Sequence, residues 1–381
     1  MRDYFKQSAP THFLFPIDGD YINERDGSID GDGVLFTAKI ASAPGCQVSV
    51  NGLNTTEENG IYSVTLHAAP GQNLLLAKNG TDGTEAKISV YYLPKAVGAY
   101  RISSDDNILF LADITQNKDT YTSIFDNPYL AIYKKAHDLY GAKVHLNLFY
   151  EFDREAAKRF STDRPDFNLS MMTDKFKAEW AANANWLRLS FHARAEFPSK
   201  PYQFATPETI VADYEAVRRE VLRFAGEATF SSDVTTIHWG EANPACVAAL
   251  RDRGLKALAG YFTLTTQGEP LVSYYAPVPL IHHVGERDFW RDTEMGISFG
   301  RIDRVTNIST LEAVMADMRE IIAHPTRGGF VSFMIHEQYF YPDYSHHKPD
   351  FEARVLEPAK LLFENGYEGQ LLKEVLNHPG A

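Results

Sequence analysis

The stretch Thr235–Phe262, TTIHWGEANPACVAALRDRGLKALAGYF, decides the fold. TTIHW reads as a strand. A polar turn follows, then an amphipathic helix over PACVAALRDR, a stop at Gly254, and a second strand, LKALAGYF. A strand–helix–strand unit of this length builds a parallel sheet and sets its chemistry at the carboxyl end of the first strand. His238, Trp239 and Glu241 sit at that end. Two other apolar runs finish the same way: LRLSFHARAEF (187–197) carries His192 and Glu196, and GGFVSFMIHEQYF (328–340) carries His336 and Glu337. Three strand ends of one chemical character point to one composite site.

The pattern extends over the carboxyl-terminal part. ILFLAD (108–113), AKVHLNLFYEF (142–152) and the strands above alternate with helical spacing in 127–141, 174–186, 206–226, 309–325 and 350–366. Thr206 is a good N-cap with Pro207 at the first helical position, and Gly141 is a good stop. The expectation is a (β/α) barrel over residues 101–381, complete or irregular with seven strands. Residues 268–306, rich in aromatics and holding His282, His283, Asp288, Trp290 and Asp292, read as long loops over the barrel mouth, with Asp288 and Asp292 on a surface turn.

Upstream the period changes from helical to two. VLFTAKI (34–40), QVSVNG (47–52), IYSVTLHAA (61–69), NLLLAKNG (73–80) and AKISVYYL (86–93) are short alternating runs, separated by turns such as Asn51-Gly52 and Asn59-Gly60. Such spacing predicts a β-sandwich over residues 1–100, and the order of runs resembles small bacterial immunoglobulin-like domains. The fold class is thus multidomain β plus α/β.

A chain of 381 residues suits two domains, and 44% hydrophobic with 23% charged residues is the balance of a globular protein. The net charge of -13 argues against a nucleic-acid partner, since phosphate backbones attract basic faces. No run reaches the ~18 apolar residues of a membrane span, so no membrane partner is expected. Cys46 and Cys246, in different halves, exclude a disulfide framework and a thiolate metal site. With no signal-like amino terminus the chain reads as cytoplasmic, or as secreted if a leader has been trimmed. The sequence is silent on oligomeric state.

The ordered set of segments in residues 105–365 resembles the polysaccharide deacetylases. ILFLADIT stands where that family has Thr-Phe-Asp-Asp, SFHARAE where it has His-x-x-x-His, TTIHWGEANP where it has Arg-Pro-Pro-Tyr-Gly, and GGFVSFMIHE where a late strand ends in Leu-His. The resemblance implies a carbohydrate substrate and a divalent metal, zinc first, held by one Asp and two His. Matched by position, it puts Asp113 at the aspartate motif, His192 and Glu196 at the metal histidines, and His336 at the late proton donor. The motif's second aspartate and its arginine are absent at these positions, where Ala112 and Thr236 stand. His238 is an extra candidate ligand, and Glu241 or Glu337 a candidate base or orienter. The expected metal set is therefore Asp113, His192, Glu196 and His238. Two alternatives stay open: a glycoside hydrolase working through Glu241 and Glu337, and a non-catalytic carbohydrate-binding relative.

Overall fold

The computed structural model describes residues 2–376 and has a mixed β plus α/β fold. Period-two alternation governs the amino-terminal part. In Gly33–Ala41 every second side chain is buried, and the strand pairs antiparallel with Ile61–Ala68 from Val34↔Ala68 to Ala41↔Ile61. Gly71–Asn79 and Glu85–Tyr92 form the long hairpin of a second five-stranded sheet. Val34, Phe36, Ala38 and Ile40 from the first sheet and Leu75, Ala77, Ile88 and Val90 from the second share one apolar core. Asn51 and Gly52 both take positive φ (49° and 82°), the conformation that lets a tight turn match the twist of its strands.

The rest of the chain is built on parallel strands: β1 (Ala99–Asn107), β2 (Val144–Phe149), β3 (Leu187–Ala193), β4 (Val234–Thr235), β5 (Ala257–Gly260), β6 (Ile297–Arg301), β7 (Arg304–Val305) and β8 (Phe330–His336). β3-β2-β1-β8-β7 make one parallel sheet, and β4-β5-β6 are parallel in a second. Backbone hydrogen bonds join the two. On one side Leu189 of β3 bonds the segment just ahead of β4, its N donating to Thr229 O and its O accepting from Ser231 N. On the other side Ile302 N donates to Gly260 O and Asp303 N to Ser332 O, so the chain from β6 to β7 passes from β5 to β8. β1, β2 and β3 are buried along their whole length, as parallel strands covered on both faces are. The 235–262 unit forms as its residues dictate: Asn243 accepts from Cys246 N, Pro244 opens the helix Pro244–Arg251, and Gly254 (φ 102°) follows it.

Two readings need correction. ILFLAD is no strand: Leu109–Gln116 is helix α1, and the strand is the preceding AYRISSDDN. A short apolar run does not by its period distinguish a buried strand from a buried helix. Here the Glu337 carboxylate receives the N–H groups of Ile108, Leu109 and Phe110 and so starts a helix. Residues 268–306 are not long loops either. They contain the helix Val278–Gly285 and the strands Phe289–Asp292 and Ile297–Arg301. Asp288 and Asp292 are buried. Asp288 accepts from Gly328 N and Phe330 N, while Trp290 Nε1 donates to Asp18 O and Arg287 pairs with Asp26, tying this segment to the amino-terminal sheets. Both cysteines are free thiols. Among the described residues no helix is long and apolar enough to cross a membrane.

Buried Asp303, between β6 and β8, makes stability pH-dependent. Burial, only partly offset by Arg301 and reinforced by Asp288, pushes its carboxyl up to about 7 from 3.8. The folded chain then binds a proton more tightly than the unfolded one. The stabilisation is complete below about pH 3.8 and is lost as pH rises to about 7, with a limiting slope of roughly 1.4 kcal/mol per pH unit. Asp303→Asn should flatten that decline in urea unfolding compared at pH 5 and pH 7.5.

Candidate metal centre and cleft

The carboxyl ends of the parallel strands meet at a cleft of about 370 Å³. β1 ends in Asp105 and Asp106, β3 in His192, and β8 in His336, which is in register with Asp105. His238 follows β4 on a single 3-10 turn. Ordinary strand alternation would send Asp105 and Asp106 to opposite faces. One extra residue of β1 against β2, between Ser104 and Asn107, breaks the register, and Asp106 takes φ 62°. A second irregularity, between Leu148 and Phe149 of β2, leaves His192 as the extra residue of β3. Bulges of this kind re-aim side chains, and a left-handed non-glycine residue is an uncommon backbone state.

The ligand atoms of Asp106, His192 and His238 lie within 4.8 Å of one another, and all three residues are buried. Their hydrogen bonds decide what can sit among them. His192 Nδ1 faces Thr236 O at 2.5 Å, and His238 Nε2 faces Glu196 O at 3.0 Å. A carbonyl oxygen only accepts, so those nitrogens carry the protons. His192 Nε2 and His238 Nδ1 are then lone pairs, 3.1 Å apart, and lie 3.1 and 3.4 Å from Asp106 Oδ1. Three acceptors converge with no donor between them, an arrangement that a cation satisfies. Gln338 Nε2 donates to Asp106 Oδ2 at 2.7 Å and holds the carboxylate in place. Carbonyl partners that fix imidazole tautomers are the usual outer support of metal-binding histidines. The donor set, two imidazoles and a carboxylate, fits zinc and leaves a coordination position open.

The charges agree with this geometry. Burial would raise Asp106, but the neighbouring imidazoles of His336, His192 and His238 hold it well below the usual carboxylate range. Burial lowers His192, yet Asp105 and Asp106 outweigh it and the net shift is upward. Burial also lowers His238 and prevails there. Burial and the Asp106 charge push Glu196 up to about 8 against the pull of Arg159.

His192, His238 and His336 line the cleft. Glu196 also lines it, but its carboxylate is held by Arg159 at 2.8 Å, and its backbone carbonyl is what touches His238.

 Asp113 lies on α1, away from the cluster. It accepts from Asn117, Tyr121 and Asn127 and so ties the end of α1 to the loop after it, and the carboxylate beside the two histidines is that of Asp106. Glu241 is buried beside Lys200, 3.5 Å away, where burial raises its pKa. Glu337 is spent on the start of α1 and on the Tyr341 hydroxyl. Neither of these two glutamates lines the cleft.

The residues that sequence reasoning missed are Asp105 and Asp106. The signal was present as Ser103-Ser104-Asp105-Asp106, an aspartate pair just ahead of the apolar run. Asp105 Oδ1 accepts from Asn147 Nδ2 at 2.5 Å, its one side-chain hydrogen bond among the described residues. His336 is oriented by Asn307. The backbone N–H of His336 donates to Asn307 Oδ1, which identifies that atom as the oxygen, so His336 Nδ1, 2.9 Å from it, carries a proton and Nε2 is the free lone pair.

No protein-family model matches the chain, and no curated protein matches it. Among solved structures it is similar to the carbohydrate deacetylase Agd3, with 10% identity and a TM-score of 0.40 over 91% of this chain and 65% of that one. The chain thus spans about 65% of that deacetylase's length. It is also similar to a GH5 xyloglucanase from Bacteroides ovatus, with 8% identity and a TM-score of 0.24 over 93% of this chain and 100% of that one. Likenesses at these scores carry no argument about activity, which rests on the residues themselves.

Proposed function

We propose that the chain is a divalent-metal-dependent hydrolase acting on a carbohydrate, most simply one that removes an N- or O-acetyl group. The observation that carries this reading is the convergence of Asp106 Oδ1, His192 Nε2 and His238 Nδ1 with no donor among them. An ion held there supplies Lewis-acid polarisation of a carbonyl and a water of lowered pKa. Asp105, with one oxygen free of side-chain partners, takes the proton of the attacking water. His336, held through Nδ1 by Asn307, gives a proton from Nε2 to the leaving nitrogen or oxygen when it is doubly protonated, and the proton held by Asp105 then restores that form. The reading keeps the ordered motifs of the polysaccharide deacetylases, with the aspartate pair moved to Asp105-Asp106. It also keeps a closed, irregular barrel of seven strands over 101–381, counting β6 and β7 as one bent strand, behind an immunoglobulin-like sandwich over 1–100.

The sugar reading draws on the cleft's aromatic rim. Trp239 is 41% exposed, and Tyr261, Tyr339 and Tyr344 line the same cleft. Such rings offer apolar faces to a pyranose. Trp239→Ala should raise KM about 3–10-fold with kcat nearly unchanged, from a stacking contribution of roughly 0.5–1.5 kcal/mol. The proposal is tested by incubating the protein with acetylated oligosaccharides. Acetate release that a chelator stops and zinc restores supports it. Release of reducing ends, insensitive to chelator and dependent on Glu241, would replace it with the glycosidase reading.

A further inference from the structure

The interior of the parallel strands is polar at its other end too. Inward positions there carry Arg101 on β1, His145 on β2 and Arg188 on β3, which are 2%, 1% and 9% exposed. His145 is in register with Ser103 on one side and Arg188 on the other. Neither guanidinium forms a salt bridge among the described residues. Arg101 Nε donates to Ser332 Oγ, and Nη1 lies 3.2 Å from His145 Nδ1. Arg188 reaches the carbonyl of Phe230. A guanidinium only donates, so His145 Nδ1 accepts and Nε2 carries the proton. Three buried donors are left without a partner among the described residues: Arg101 Nη2, His145 Nε2 and Arg188 Nε.

Each buried, unpaired donor costs roughly 1–3 kcal/mol, and an unneutralised buried charge costs more. We propose that a small inorganic anion, chloride first, binds inside the strand ring between Arg101, His145 and Arg188. Adjacent strands lie only about 4.8 Å apart, which suits a monatomic anion taking one N–H from each residue. The site is distinct from the cleft: Arg101 precedes Asp105 by four residues on β1, roughly 13 Å along the strand. Burial lowers both guanidinium groups, outweighing Asp105, which acts on Arg101, and Asp233 and Glu374, which act on Arg188. Burial lowers Arg101 to about 10, and burial, Arg101, Arg188 and Lys373 together lower His145 far below its ordinary value. Half-buried Lys373, on the short helix Leu372–Leu376, adds charge at this end.

The test is made on the full chain. A crystal grown in sodium bromide should give an anomalous bromine peak between the three side chains. In solution, chloride should raise Tm saturably by about 2–4 °C over methanesulfonate at equal ionic strength. Arg101→Met, or Arg188→Met if the first does not fold, should abolish that difference. Absence of the bromide peak, equal Tm in the two salts, or a chloride effect unchanged in the variant that folds would each overturn the proposal. Preference for sulfate or phosphate over chloride would overturn the assignment to a monatomic anion.

Discussion

Asp106→Ala is expected to lower zinc affinity at least about 100-fold and to bring acetate release to background, while Asp113→Ala leaves both within about two-fold. The first figure is a floor, because loss of an outer support of a metal site already costs roughly 10–100-fold. Among the described residues Asp106 is the carboxylate that faces both histidine lone pairs. Asp113 faces only Asn117, Tyr121 and Asn127, so its loss loosens a loop and leaves the three acceptors intact. Zinc titration and acetate release measured on both variants check the pair. Alanine at φ 62° carries a backbone cost of about 1–2 kcal/mol. Asp106→Asn, which tolerates that conformation better and removes the charge, should also lose metal while keeping near-native Tm. Equal zinc affinity in wild type and Asp106→Asn would contradict the ligand assignment.

The second large effect concerns stability. Glu337→Ala should destabilise the fold by about 3–5 kcal/mol in urea unfolding. The Glu337 side chain is buried and accepts from three successive backbone N–H groups, at 2.6, 3.0 and 2.5 Å, and from the Tyr341 hydroxyl at 2.7 Å. Its removal strands those donors at the start of α1, directly after the strand that delivers Asp105 and Asp106. Glu337→Gln keeps the shape, but its amide NH2 group meets backbone donors, so it should fall between wild type and alanine. A catalytic carboxylate of a glycosidase would behave otherwise: its replacement would abolish turnover with stability untouched.

Much of this was legible in the chain. Period-two runs and their Asn-Gly turns announced the amino-terminal sheets, and the 235–262 unit announced the parallel ones. His192, His238 and His336 were legible as strand-end residues because apolar runs lead into them. Asp105 and Asp106 were not, because β1 breaks the usual code. Its alternate positions Arg101, Ser103 and Asp105 are polar although buried, so AYRISSDDN lacks the apolar signature of a buried strand. The apolar run beside it drew the reading instead, and that run is helical because of a glutamate 229 residues away. The segment 268–306 misled for a related reason. Its aspartates look solvated in sequence and are buried: Asp292 pairs with Arg2 and Asp288 accepts from Gly328 N and Phe330 N, while the partly buried His283 faces Asp20.

The most direct measurement is anomalous scattering at the zinc edge from a crystal grown with zinc. The account predicts the strongest peak about 2.0–2.2 Å from Asp106 Oδ1, His192 Nε2 and His238 Nδ1. A peak at Asp113 or at the Glu196 carboxylate instead, or no peak among the three, would contradict it.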